Sequence, residues 1–115
     1  MTNDALNTSG LDRELVLEVA RVTEAAALAA ARFRGFGNER AADEAAVEAM
    51  HRELARLAIV GQVVLGEGSE DEAEKLYIGE AIGAGGGPEV DIAADPLEGS
   101  TLCAKGLSNA LSVIA

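Results

Sequence analysis

The strongest period along the chain is helical. Leu15, Val19, Val22, Ala26 and Phe33 recur at close to 3.6-residue spacing. They predict a long first helix within "SGLDRELVLEVARVTEAAALAAARFRGFG", with Ser9 or Asp12 as its cap and Gly35 and Gly37 as its stop. A second helix is expected from about Glu39 to Leu57, on an apolar stripe of Val47, Met50, Leu54 and Leu57. Asp43 lies four residues before Val47 and falls on that same stripe. A buried charge without a partner is costly. Either the helix frays there and Asp43 faces solvent near the positive end of the helix dipole, or Asp43 points into a cation site at the edge of the core.

After Leu57 the pattern changes to β-branched residues. A strand is expected at about 59–65, ending in Gly66-Glu67-Gly68, where two glycines free the backbone around a carboxylate. Glu70, Asp71, Glu72 and Glu74 read as a solvated acidic loop. "KLYIGE" suggests a short strand, and "GAGGGPEV" a flexible turn, since it lacks the lysine and Ser/Thr of a P-loop. A further strand, Val90–Ala94, leads to the acidic turn "DPLE", and "NALSVIA" supplies a last strand. The order gives a layered α/β or α+β domain, two N-terminal helices followed by a mixed sheet. It spans residues 11–115, behind a disordered lead over 1–10. No helix follows the last strand to cover the other face of the sheet, so the chain reads as the first part of a larger fold.

The 115 residues are 49% apolar but only 3% aromatic, so the core must be built from Ala, Val, Leu and Ile. The net charge is −11 with no basic run, which excludes counterion-driven nucleic-acid binding. An anionic substrate stays open if cations bridge it to the carboxylates. Cys103 is the only cysteine, a small semi-buried hydrophobe that fits a reducing, cytoplasmic setting. The polar, acidic start is unlike a signal peptide, and no apolar run nears the roughly 20 residues of a membrane span. His51, in mid-helix, reads as a solvated or packing residue.

Carboxylates therefore stand where elements begin or end: Asp43, Glu67, and the pair Asp95 and Glu98. Oxygen-only donors suit hard divalent cations such as Mg²⁺ or Mn²⁺, which combine a few carboxylates with phosphate oxygens. No His/Cys cluster supports zinc. Pro96 fixes a sharp turn that can bring Asp95 and Glu98 to one side, with the Leu97 carbonyl beside them. Gly99 lets backbone amides approach an anion, and Ser100 or Thr101 adds a hydroxyl. The arrangement suits a phosphate bridged by metals.

These residues carry a resemblance. "DPLEGST", preceded by "GEG", is similar to the DPx(D/E)GT signature of the lithium-sensitive, metal-dependent phosphomonoesterases. "RVTEAAALAAAR", "AADEAAVEAM", "GEGSEDEAEKLYIGE", "GGGPEVDIAADPLEGSTL" and "AKGLSNALSVIA", in this order, resemble the N-terminal region of class II (bacterial) fructose-1,6-bisphosphatases, from Leu11 to Ala115. The resemblance implies the first part of an α/β/α/β/α sugar-phosphatase fold. It implies Asp43 and Glu67 on one divalent cation, Asp95 and Glu98 on another, with Mn²⁺ or Mg²⁺ as the metal. Glu98, Gly99 and Ser100 would contact the reacting phosphate, Ser100 also in a catalytic role, and Asp71 would lie near the catalytic water. The substrate would be fructose 1,6-bisphosphate, with sedoheptulose 1,7-bisphosphate as a second one, in gluconeogenesis. The full-length enzyme would be a homo-oligomer. The chain differs from the family pattern in three places. Gly35-Phe36-Gly37-Asn38-Glu39 replaces Gly-Arg-Gly-Asp-Lys, with Arg40 one position along; Ser100 replaces Thr; and Glu74 replaces proline. The alternative is a truncated, catalytically inactive metal-binding relic of that family.

Overall fold

A computed structural model describes residues 13–115. The expected lead over 1–10 and both cap candidates, Ser9 and Asp12, lie outside the described residues. Helix α1 (Arg13–Ala31) turns Leu15, Val22, Ala26 and Ala30 inward, and helix α2 (Glu39–Arg56) answers with Ala42, Ala46, Ala49, Met50 and Leu54. Alanines on both faces let the two backbones approach closely, which is how a core almost without aromatics stays dense. Helix α1 stops at Ala31, before the two glycines expected to end it. Residues 32–35 form turns in which the Phe33 amide bonds to the Ala30 carbonyl at 3.0 Å and the Gly35 amide to the Cys103 carbonyl at 2.9 Å. Phe33 still packs against the core, edge to face with Phe36 at 6.3 Å.

Four strands form one mixed sheet: β1 (Val60–Leu65), β2 (Ala81–Ile82), β3 (Glu89–Glu98) and β4 (Leu111–Ile114), in the order β2-β1-β3-β4. Strands β1 and β3 run parallel, and the two outer pairings are antiparallel. Buried Val63, Ile92 and Ala94 belong to the same core as the helices. Val60, Val64, Leu111 and Val113 stay exposed.

Two expectations are corrected, and one element is added. "KLYIGE" is not a strand: residues 75–80 are irregular, and the short strand follows at Ala81–Ile82. The alternation that suggested a strand is broken by Leu76, buried at φ 57°. Strand β3 does not stop at Ala94 but runs through Asp95 and Pro96 to Glu98. Pro96 is tolerated because pairing to β1 ends at Ala93 and the register against β4 shifts between Asp95 and Glu98, so the missing amide falls at a bulge. A five-residue helix, α3 (Ser100–Ala104), follows Gly99 in a left-handed conformation, φ 88°. No sequence periodicity announces so short a helix.

The glycine-rich connection joins two strands as expected, and it is closely packed. The Ala84 amide bonds to the Leu57 carbonyl, and the Val60 amide to the Pro88 carbonyl, both at 2.8 Å. Cys103 is buried, with its thiol 3.6 Å from the Ala30 carbonyl.

Candidate functional site

The parallel register of β1 and β3 places Leu65 opposite Ala93. Two residues further along each strand direction stand Glu67 and Asp95, so neighbouring parallel strands deliver a carboxylate each to the same end of the sheet. The carboxyl end of parallel strands is the usual place for a ligand crevice. Helix α2 brings the third. Asn38 caps it, its Oδ1 accepting the Ala41 amide at 3.0 Å, so the first turns do not fray. Asp43 therefore sits on an ordered helix, half-buried.

The three charges act on one another. Burial pushes the Asp43 carboxyl above its ordinary range, and the negative charges of Asp95 and Glu44 push it the same way. Burial likewise raises Glu67, with Asp43 and Asp95 adding to it. None of the five ion pairs among the described residues includes Asp43, Glu67, Asp95 or Glu98. A half-buried group of like charges without a cation is unfavourable by itself and attracts one.

Asp43 and Glu67 line one open cleft of about 540 Å³, walled also by Arg40, Glu44, Glu48 and Lys75. Arg40 is tied to Glu44 at 2.9 Å, and Lys75 to Glu48 at 2.8 Å. Both cations are thus engaged by other acids of the cleft.

The donor set suits a hard divalent cation: carboxylate oxygens, no competing base, and burial that, with mutual proximity, raises two of the acids. Among the described residues, no three His, Cys, Asp or Glu side chains gather closely enough to enclose an ion. A Mg²⁺-like ion is commonly held by one or two carboxylates, with water and phosphate oxygens completing its shell. The residues present fit that open mode of binding and not a closed cage.

The remaining expected site residues lie elsewhere. Glu98 is exposed at the end of β3, opposite Leu111. Gly99 takes the left-handed turn into α3, and half-buried Ser100 opens that helix. Asp71 is exposed in the acidic loop with Glu70, Glu72 and Glu74, as a solvated stretch should be. Within that loop Glu72 accepts the Ser69 amide at 3.0 Å, which holds its carboxyl below the usual range. The structure thus brings Asp43, Glu67 and Asp95 together and leaves Glu98 and Asp71 to solvent.

One residue was under-read in the sequence. His51 is a specific partner and not merely a solvated or packing residue: its Nε2–H donates to Glu80 Oε2 at 2.8 Å. The signal was present, since Asp43, Val47 and His51 stand at i, i+4 and i+8 on one helix face.

No helix among the described residues is long and apolar enough to cross a membrane. Residues 13–115 match the family model described as bacterial fructose-1,6-bisphosphatase, glpX-encoded. The chain is 47% identical over 105 residues to a protein of Prochlorococcus marinus strain MIT 9303 named D-fructose 1,6-bisphosphatase class 2/sedoheptulose 1,7-bisphosphatase. The identically named protein of strain NATL1A is 48% identical over 105 residues. Each alignment covers 91% of this chain and 31% of the relative, so the chain spans under a third of the length of these curated relatives.

Proposed function

This chain belongs to the family of bacterial, glpX-encoded fructose-1,6-bisphosphatases, and we propose that it forms the metal-binding part of a phosphomonoesterase acting on fructose 1,6-bisphosphate. The reaction is hydrolysis: water attacks the phosphorus, the bond from phosphorus to the sugar oxygen breaks, and that oxygen leaves as the hydroxyl of fructose 6-phosphate. Sedoheptulose 1,7-bisphosphate, present in the names of the relatives, presents the same phosphomonoester and is the second substrate. The observation carrying this reading is the convergence of Asp43, Glu67 and Asp95, without a cationic partner, at the carboxyl ends of β1 and β3.

Asp43 and Glu67 would hold one divalent cation, and Asp95 with Glu98 another, with Mn²⁺ or Mg²⁺ the ions that the oxygen-only donor set suits. When bound, such ions neutralise phosphoryl oxygens and lower the pKa of water. The chain's own residues then orient and position. The left-handed backbone at Gly99, φ 88°, leaves no Cβ between the main chain and an approaching phosphate. Ser100 offers its hydroxyl to the same oxygens, and Glu98 orients the reacting phosphate. Asp71, exposed in the loop that follows Glu67, would lie near the attacking water and take its proton. The setting is cytoplasmic, and the full-length enzyme a homo-oligomer.

The test is a chimera in which residues 13–115 replace the corresponding part of the strain MIT 9303 relative, assayed for phosphate release from fructose 1,6-bisphosphate with Mn²⁺. Asp95→Asn should cut turnover by on the order of a hundredfold or more, the equivalent of several kcal/mol of lost charge stabilisation. Equal turnover in parent and variant sinks the assignment. A second reading applies to the 115 residues alone. Because they span only 31% of the relatives, the isolated chain binds the cation and turns nothing over. Calorimetric titration with Mn²⁺ giving heat without phosphate release would bear it out.

A further inference from the structure

The loop that carries Glu67 has no regular structure from Gly66 to Glu80, yet it must hold a carboxylate opposite one on a rigid helix. Main-chain bonds such as the Ile78 amide to the Gly68 carbonyl at 2.8 Å and the Gly79 amide to the Val63 carbonyl at 2.7 Å shape it locally, and three further hydrogen bonds link Glu67 to helix α2. On α2, about two turns beyond Asp43, His51 donates from Nε2 to Glu80 Oε2 at 2.8 Å. The other oxygen of that carboxylate, Oε1, accepts the Leu76 amide at 2.7 Å. The Leu76 carbonyl in turn accepts the Glu67 amide at 2.8 Å. The path is continuous: helix α2, His51, Glu80, Leu76, Glu67.

Each link is confined. The His51 and Glu80 side chains are only 24% and 14% exposed. Leu76 is fully buried and holds φ 57°, a strained conformation for a branched side chain that persists only when its surroundings fix it. A Cβ built on Gly66 would stand 2.1 Å from the Leu76 carbonyl oxygen, so the chain there is as close as glycine permits. By contrast the parallel strap, Lys75 to Glu48, lies at the surface and contributes little of its own.

We propose that the Glu80 carboxylate, gripped by His51 and gripping Leu76, is a positioning clamp that sets the distance between Asp43 and Glu67. Helix α2 carries both Asp43 and the anchor of the loop that presents Glu67, so one rigid element gauges both acids. Neither His51 nor Glu80 touches the cation or the phosphate; their effect passes through the Leu76 peptide. The inference rests on the assignment of Asp43 and Glu67 as cation ligands given above.

The experiment uses the 115-residue chain with Mn²⁺ as probe, reading calorimetric affinity and amide hydrogen exchange. In Glu80→Ala the Glu67 amide should exchange at least about tenfold faster while amides within α1 and α2 keep their rates. Mn²⁺ affinity should fall about tenfold, in the range seen when a group orienting a metal ligand is lost. Glu80→Gln should stay within about twofold of the parent, because an amide still accepts from Leu76 and donates to the other imidazole tautomer. If Glu80→Ala does not fold, His51→Ala, which frees only the α2 end, should show both effects more weakly, about threefold. Parental Mn²⁺ affinity or parental Glu67 exchange in the folded alanine variant would overturn the clamp. Asp43→Asn separates the two layers of the argument. It should remove one Mn²⁺ from the titration stoichiometry while leaving Glu67 exchange unchanged, and a stoichiometry equal to the parent's overturns the ligand assignment, and the clamp with it.

Discussion

Strands β1 and β3 leave the sheet side by side in the same direction, but the segments that follow them are anchored by different means. The segment after β1 has main-chain bonds, such as the Gly79 amide to the Val63 carbonyl at 2.7 Å, but its ties to helix α2 are side chains: Glu80, which also accepts from Leu76, to His51, with Lys75 to Glu48 at the surface. The segment after β3 is fixed by backbone. The Gly35 amide bonds to the Cys103 carbonyl at 2.9 Å and the Gly37 amide to the Ala104 carbonyl at 2.8 Å, tying α3 to the turn between the helices. Glu67, in the first, is half-buried; Glu98, leading into the second, is exposed. Side-chain anchoring can be undone one residue at a time, whereas main-chain anchoring depends on local conformation and is largely blind to side-chain identity. The first segment should therefore be the more sensitive to single side-chain substitutions.

Gly66→Ala should break that contrast most sharply. Its Cβ would meet main chain, not a flexible side chain, so the loss should reach about 3 kcal/mol or more in chemical unfolding, with Mn²⁺ binding lost as well. A cost below about 1 kcal/mol would mean the loop is loosely held. On the other side, Gly99→Ala should cost about 1–2 kcal/mol, the penalty of a left-handed residue with a side chain. The nearest obstacle there is the mobile end of Leu102, 3.1 Å away.

The third prediction concerns pH. Asp43 and Glu67 have folded-state values raised above 3.8 and 4.5. The folded state thus holds protons that the unfolded chain has released, and stability from these groups is complete below those ordinary values. It is lost as pH rises through the raised ones. Without divalent cation, stability should fall as pH rises above the ordinary carboxylate range, and the double variant Asp43→Asn/Glu67→Gln should flatten that slope. A slope unchanged by the double variant would show that the carboxylates do not repel one another. Smallest of all, Glu98→Gln should shift stability by less than about 0.5 kcal/mol, as expected for an exposed side chain.

Much of this was legible in the sequence, and the residues show why. The helices were read from Val22, Ala26, Met50 and Leu54, because burial on one face imposes a period that survives any context. Asp43 stood out for the same reason, as a charge on an apolar stripe. Glu67 and Asp95 were found from their positions at strand ends, although their adjacency needed the parallel register, which no local pattern encodes. Strand β3 was cut short at Pro96, because a bulge that excuses a proline is created by the neighbouring strand. "KLYIGE" misled because Leu76 alternates correctly but is bent out of strand geometry by bonds to Glu80 and Glu67, residues four and nine positions away.

The far side of the sheet has a practical consequence. Strand β4 is the last in its sheet, so its outer edge pairs with no other strand among the described residues, and exposed Leu111 and Val113 lie along it beside a face that also shows Val60 and Val64. Such an edge is a template for self-association. At neutral pH the charge of −11 keeps copies apart. That protection is colloidal and not structural, so it fades as the buffer approaches the pI of about 4.3. Salt erodes it too, since at about 0.1 M repulsion is screened beyond roughly 10 Å. The isolated chain should be handled dilute, near neutrality and at low ionic strength, and light scattering against salt should rise long before any unfolding signal does.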